Sequence, residues 1–73
     1  MEWEFSLVLE GDPEPHLDEL YEAGCSDGVF GRQSGVAFAD FTREADSMRE
    51  AIDSAIAQIE SVPGLKVAHW TLL

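Results

Sequence analysis

Residues 26–42 of the chain read SDGVFGRQSGVAFADFT, and this stretch decides the fold. Two runs of β-forming residues flank Gln33-Ser34-Gly35, a combination typical of a tight turn between paired strands. The stretch therefore predicts a β-hairpin in the middle of the chain. Both alternating sets of the second run contain apolar residues, so the pattern leaves open which set faces the core. These sets are Ala37, Ala39 and Phe41 on one side and Val36, Phe38 and Asp40 on the other.

A helix is predicted directly after the hairpin. Ser47-Met48-Arg49-Glu50 has the form of a capping box, in which the Ser and Glu side chains satisfy backbone N–H groups of the first turn. Pro63-Gly64 ends the helix, and LKVAHWTL at residues 65–72 predicts a last strand. The predicted buried face of the helix consists of Met48, Ala51, Ile52, Ala55, Ile56, Ile59 and Val62.

Before the hairpin, the chain predicts one strand and one short helix. Residues 2–10 alternate as a half-buried strand does, with Trp3, Phe5, Leu7 and Leu9 on the apolar side. We expect Asp12 to cap a helix over residues 12–22. Its predicted buried face consists of Leu17, Leu20 and Tyr21, followed by Gly24 as a left-handed C-terminal cap.

The resulting order is β-α-β-β-α-β within a single domain, residues 1–73. Two helical crossovers and one hairpin predict a four-stranded antiparallel sheet with both helices on one face, which is the ferredoxin-like α+β fold. The second face of the sheet is then open to solvent. We expect it to carry Val8, Phe38 and Trp70 among the carboxylates of Glu2, Glu4, Glu10 and Asp40.

The charge of the chain restricts its partners. Fifteen acidic residues stand against four basic ones, for a formal net charge of -11, and nine of the acids precede the first basic residue, Arg32. Direct binding of nucleic acid or of an anionic membrane needs clustered Lys and Arg, so neither is expected. The complementary partner is a basic surface. Because no apolar run approaches about 20 residues and Cys25 is alone, we expect a cytoplasmic protein without disulfides.

The sequence offers no set of residues typical of an enzyme or a metal site. Thiolate metal sites need paired cysteines, and RNA-recognition strands need basic residues that VAFADFT lacks. His16 with Asp12 and Glu19 reads as solvated side chains at the start of a helix. The carboxylates occupy helix exteriors and strand edges, where no pocket would shift their pKa values. We therefore expect no enzymatic activity, no cofactor and no metal ion.

The acidic stripe of the first predicted helix is the leading candidate site. Glu14, Asp18 and Glu22 follow one another at i, i+4 and i+8, with Glu19 beside them. Such a stripe has three interpretations: a solvated face, a mimic of successive phosphates, or a cover for a basic DNA-binding surface. The predicted partner-binding set is Glu10, Asp12, Glu14, Asp18, Glu19 and Glu22, with Val36, Phe38 or Trp70 as an apolar anchor.

Three phrases of the chain resemble a known family. They are LDELYEAGCSDG at 17–28, ADFTREADS at 39–47 and REAIDSAIAQIE at 49–60, the last followed by PG. They resemble small bacterial ferredoxin-like domains of phage-associated settings, which are typically joined to a C-terminal helix-turn-helix in DNA-binding regulators. We expect no such element after Leu73, since the sequence stops there.

As a freestanding acidic domain, the chain also looks like the small type I anti-CRISPR proteins, with subtype I-C as one candidate target. This resemblance implies a phage-encoded inhibitor that binds a type I surveillance complex in the bacterial cytosol and blocks DNA access as a DNA mimic. The alternative is a regulatory domain of a phage-associated transcriptional regulator. That domain would act through protein contacts of the open sheet face, for instance as a homodimer.

Overall fold

The computed structural model describes all 73 residues, which form one antiparallel sheet with helices on one side. The strands lie in the order β2-β3-β1-β4, so the ferredoxin-like β-α-β-β-α-β arrangement is confirmed. In chain order the elements are β1 (Glu2–Glu10), a 3-10 turn (Glu14–His16), α1 (Leu17–Glu22), β2 (Gly28–Gln33), β3 (Val36–Glu44), α2 (Met48–Glu60) and β4 (Lys66–Leu72).

The two central strands, β1 and β3, supply the floor of the core. Phe5 lies opposite Phe41, and their rings stack with centroids 5.5 Å apart. Leu7 lies opposite Ala39 and Leu9 opposite Ala37, and all of these side chains are buried. The register therefore answers the question that the hairpin sequence left open. The set Ala37, Ala39 and Phe41 faces the helices, whereas Val36, Phe38 and Asp40 face solvent.

Helix α2 forms as predicted and covers this floor. The Ser47 half of its predicted capping box is present, because the Ser47 hydroxyl accepts a hydrogen bond of 3.2 Å from the Glu50 backbone N–H, whereas the Glu50 side chain makes no return bond. No helix in the structure is long and apolar enough to cross a membrane. The face of α2 that packs on the sheet consists of the buried Ala51, Ile52, Ala55 and Ile59, with Met48 and Ile56 partly buried beside them.

The first helix is shorter than predicted, and two of its three predicted core residues are wrong. Only Leu20 is buried, whereas Leu17 is 46% and Tyr21 69% exposed. Pro15 lacks an N–H group and disfavours α conformation in the residue before it, so the first turn is of the 3-10 type. The α-helix that follows has six residues, which is too few to bury a full apolar face. Its end is as predicted, with Gly24 at a φ of 109°.

Strand β4 carries a bulge that reverses part of its predicted orientation. The register with β1 shifts between Val8 and Leu9, so that Leu7 lies opposite Trp70 and Leu9 opposite Val67. Residues paired across a ladder share one face of the sheet. Trp70 therefore lies on the helix side, and its predicted place on the open face is wrong. The extra residue of the bulge, which lies between Val67 and His69, breaks the simple alternation of the strand.

A buried arginine joins the two halves of the helix layer. Arg43 of β3 lies on the helix side and donates to both Asp27 carboxylate oxygens, at 2.7 and 2.8 Å. It also donates to the Gly24 carbonyl at 3.1 Å and to the Ser54 hydroxyl of α2 at 3.0 Å. Its guanidinium lies 5.0 Å from the centre of the Phe41 ring. One side chain thus connects β3, the α1–β2 loop and α2.

Replacing Arg43 should destabilise the fold strongly. Arg43→Met leaves the Asp27 carboxylate and the Gly24 carbonyl without their donor, so we expect a loss of about 2–3 kcal/mol in the free energy of unfolding. The partial exposure of Asp27 keeps the loss below that of a fully buried pair. Urea denaturation followed by circular dichroism measures it. Arg49→Met is the control, because its ion pair with Asp53 is exposed and should contribute below about 0.5 kcal/mol. Equal effects of the two substitutions would contradict this role of Arg43.

The same ion pair should make stability depend on pH. The hydrogen bonds from Arg43 hold the pKa of Asp27 below its ordinary value of 3.8. Since the folded pKa is the lower one, the contribution of the charged pair is fully present above pH 3.8 and is lost as pH falls through the folded pKa. We expect wild type to exceed Asp27→Asn in stability by a constant amount above pH 5. Urea titrations at several pH values should show this difference shrinking below pH 3.8, and a difference that stays constant there would contradict the prediction.

Candidate functional site

Most carboxylates of this protein have no basic partner. Of fifteen, three form ion pairs with arginine: Asp12 with Arg32 at 3.0 Å, Asp27 with Arg43, and Asp53 with Arg49 at 3.6 Å. A fourth, Glu19, contacts the imidazole of His16 at 2.9 Å. Eleven remain unpaired. Three of these lie at α1, three lie around α2, and five lie on the open face of the sheet. The largest group of unpaired carboxylates therefore lies on the open face of the sheet and not at α1, where the leading candidate site was predicted.

The structure divides the predicted partner-binding set between two sides of the molecule. Glu14 of the 3-10 turn and Asp18 and Glu22 of α1 are exposed and unpaired. Asp12 is engaged by Arg32, and it also accepts a hydrogen bond of 3.1 Å from the Glu14 backbone N–H. Glu19 is engaged by His16, and Glu10 belongs to the open face of the sheet. Of the six predicted carboxylates, only the three of the stripe are therefore free on the α1 side.

The open face carries five carboxylates and one lysine. Because partners across a ladder share a face, the register assigns each residue to a side. The lysine, Lys66, lies opposite Glu10. Polar neutral residues, among them Ser6, Thr42 and Thr71, fill the positions between the charges. The five carboxylates are those of Glu2, Glu4, Glu10, Asp40 and Glu44.

Two of these carboxylates directly oppose each other. Glu2 of β1 is the ladder partner of Glu44 of β3, and Glu4 is the next residue along β1 that points to the same side. Like charges at opposed positions destabilise a sheet, by roughly 0.2–1 kcal/mol. Sequence reasoning missed this pair, because the two residues are 42 positions apart and meet only through the register of β1 with β3. The only signal in the sequence was that both residues fall on the polar side of their strands.

A groove lies on the open face and reaches the β2–β3 turn, and its apolar part is formed mainly by Val8, Val36 and Phe38. Val8 is the ladder partner of Phe38, and Val36, which is 48% exposed, lies at the end of β3. The Phe38 ring lies across Gly31 of β2, where a Cβ atom would come within 2.7 Å of it. Glycine at this position therefore allows the ring to lie flat over β2. The groove has a volume of about 500 Å³ and includes Asp40 in its lining.

Two of the three predicted apolar anchors share this groove. Val36 and Phe38 line it together, and Glu10 is the one predicted binding carboxylate on the same face. Trp70 lines a separate groove on the helix side, next to Met48 and Ile52 of α2. A partner that contacts Phe38 therefore cannot contact the α1 stripe or Trp70 through the same flat surface.

The titratable groups do not converge on a reactive centre. His16 and Asp12 have separate partners, and no group of three or more His, Cys, Asp or Glu side chains is placed to hold a metal ion. Burial raises the pKa of the Cys25 thiol, whose Sγ lies 3.9 Å from the Gln58 Oε1 atom. A buried thiol with a raised pKa is a poor nucleophile at neutral pH. The chemistry that this surface offers is electrostatic and apolar binding.

Comparison with known proteins gives no match: no family model fits the chain, and neither a curated protein nor a solved structure is significantly similar to it. The resemblance to phage-associated domains and to anti-CRISPR proteins therefore remains a hypothesis.

Reversing one charge of the opposed pair should stabilise the protein. We expect Glu2→Lys and Glu44→Lys each to add about 0.5 kcal/mol to the free energy of unfolding, because each creates an attractive cross-strand pair. The double variant should gain less than either single variant, since it opposes two lysines. Urea denaturation of all four proteins measures this coupling. Additive gains would instead attribute the effect to net charge alone.

Proposed function

We propose that this protein is a non-enzymatic inhibitor that binds a basic nucleic-acid-binding surface of another protein and thereby excludes nucleic acid from it. The observation that carries the proposal is the open sheet face, which carries five unpaired carboxylates together with the groove of Val8, Val36 and Phe38, with Asp40 in the lining of that groove. An apolar centre with a charged rim is the usual organisation of a protein–protein interface. Because the charged residues of this face are carboxylates, the complementary partner surface is basic.

The arrangement of the charges favours binding over mere solubility. A surface that serves only solubility mixes both signs and avoids opposed like charges. Here Glu2 and Glu44 oppose each other, and one lysine accompanies five carboxylates. A basic partner surface would convert this repulsion into attraction. Such residues lower the stability of the free protein and become favourable in the complex.

The charge density of the face also explains why an apolar anchor is needed. Strand β1 has nine residues and is therefore roughly 30 Å long, so that five carboxylates amount to about one charge per 6 Å. Duplex DNA carries about one negative charge per 1.7 Å of its helix axis. Charge alone would therefore lose the competition with DNA. Burial of Phe38 in a partner pocket supplies affinity that does not depend on charge.

The most specific form of the proposal names a type I CRISPR surveillance complex, subtype I-C in the first instance, as the target. This choice rests on the resemblance to phage-encoded anti-CRISPR proteins and places the protein in the bacterial cytosol. The DNA-entry region of such a complex must be basic to bind DNA. Electrostatic steering would accelerate association, and binding would weaken as salt is added.

A regulatory or dimerisation domain is the second candidate, and the apolar groove with Val8 and Phe38 favours it. A homodimer through this face would, however, bring the five carboxylates of one copy against the five of the other. Such a contact is unfavourable at low ionic strength. The open face therefore fits a basic partner better than a second copy of itself.

Two triple variants test the proposal and identify the binding side. One variant replaces Glu4, Asp40 and Glu44 of the open face by Lys. The other replaces Glu14, Asp18 and Glu22 at α1 by Lys, which changes the net charge by the same amount. We expect the open-face variant to lose at least about tenfold in inhibition and the α1 variant to keep most of it. Fluorescence anisotropy of labelled duplex DNA on a purified type I-C surveillance complex measures inhibition, with circular dichroism as the check on folding.

The other outcomes are equally informative. Loss in the α1 variant alone would assign binding to the Glu14, Asp18 and Glu22 stripe. Equal loss in both variants would contradict a defined binding face, because only net charge would matter. If wild type leaves DNA binding unchanged, the type I target is wrong. Capture of basic nucleic-acid-binding proteins from a bacterial lysate, stronger at low than at high salt, then tests the broader proposal.

A further inference from the structure

The edge strand β4 carries no carboxylate, unlike the two central strands of the sheet. Residues 61–73 contain no Asp or Glu, in a chain that has fifteen. β4 lies at the end of the sheet, so alternate N–H and C=O groups point away from it. The Glu60 carboxylate accepts a hydrogen bond of 3.0 Å from the Val67 N–H and covers the start of this edge. Beyond Val67 no side chain of the protein bonds to the edge.

A half-exposed tryptophan stands beside this free edge. Trp70 is 48% exposed on the helix side of β4, next to Met48 and Ile52 of α2. Leu72, which is 63% exposed, follows on the same side of the strand. The groove between Trp70 and α2 has a volume of about 420 Å³. An apolar edge strand without carboxylates is a surface that natural proteins usually protect.

The rim of this groove carries one charge of each sign. Arg49 and Asp53 of α2 both line the groove, and they are one helical turn apart with 3.6 Å between their charged atoms. In a contact with two-fold symmetry, a residue of one copy that contacts a second residue of the other copy is matched by the reciprocal contact between the same two residues. A rim of one cation and one anion is therefore complementary to itself. The open face is not complementary to itself, because its five carboxylates all carry negative charge.

We propose that a second copy of this chain binds at this edge, with the two β4 strands paired antiparallel about a two-fold axis. The pairing satisfies the free backbone groups of both edges. It also makes the helix side continuous from one copy to the next. Trp70 and Leu72 of each copy then pack between the two α2 helices, and Arg49 of each copy faces Asp53 of the other.

The other edge of the sheet is a poorer place for such pairing. Strand β2 has six residues, two of which, Gly28 and Gly31, have no side chain to bury. Its Arg32 is already engaged by Asp12. With a net charge of -11, two copies repel each other over most of their surfaces. The groove beside β4 combines a free edge, apolar side chains and balanced charge.

Sedimentation equilibrium with a matched pair of variants tests this dimer. We expect the mass of wild type to rise from 8.0 kDa toward twice that value with concentration, and more readily at higher salt, because salt screens the repulsion. Trp70→Glu should weaken dimerisation at least about tenfold. Val36→Glu is the control, because Val36 is also 48% exposed but lies on the open face. Circular dichroism checks that both variants are folded.

Two results would overturn the proposal. One is a mass that stays at 8.0 kDa up to millimolar concentration in salt. The other is a dimer that Val36→Glu weakens and Trp70→Glu leaves intact, which would assign self-association to the open face. The inference does not rest on the proposed inhibitor function. The response to salt also distinguishes the dimer from the inhibitor function. Added salt should weaken binding to a basic target, whereas it should strengthen dimerisation.

Discussion

The fork of hydrogen bonds from Arg43 to Asp27 is the interaction on which the arrangement of this small fold depends. Helix α1 contributes one fully buried side chain, Leu20, to a core of 14 residues, so apolar packing alone fixes its position weakly. Arg43 compensates by binding the Gly24 carbonyl and the Asp27 carboxylate of the loop that follows α1. Such a bidentate pair specifies geometry more than it adds net stability, because both charges lose hydration. Its main effect is to fix the loop after α1 against β3 and α2.

Placing every large core group on one side leaves the other side free for binding. In β1, the residues that alternate with Phe5, Leu7 and Leu9 must point to the open face, and three of those five are glutamates. The same holds for Asp40 and Glu44 in β3. The acidic face is therefore a direct consequence of strand alternation under a one-sided core. It needs no pocket and no long loop, which suits a chain of 73 residues.

The sequence allowed the fold to be predicted where its pattern agreed with local chemistry. The alternation of β1, the turn at Ser34-Gly35 and the N-cap at Ser47 each have one strong structural solution, and all three are confirmed. Prediction failed where one residue changes the geometry of its neighbours. Pro15 shortened α1 and exposed Tyr21, and the bulge in β4 moved Trp70 to the helix side.

The candidate site was less predictable for a related reason. The Glu2–Glu44 opposition and the Arg43–Asp27 pair join residues from different elements, so they depend on register and packing that a single sequence does not specify. The acidic stripe at α1 was conspicuous because its residues are neighbours in sequence. The open face brings together carboxylates from both ends of β1 and from β3, and no local window of sequence contains them.

The distribution of acids over the sheet connects the two proposals of binding and pairing. Carboxylates are concentrated on the open face of β1 and β3, whereas the edge strands β2 and β4 contain none. Pairing of two β4 strands would extend the sheet, and with it the acidic face, without bringing carboxylates of the two copies into opposition. Because strands add side by side, this pairing would extend the sheet from four strands to eight and would place two acidic patches on one face, with the two β4 strands between them. Two acidic patches on one continuous face fit a channel that binds an extended nucleic acid better than a compact pocket, because such a channel repeats its basic residues along its length.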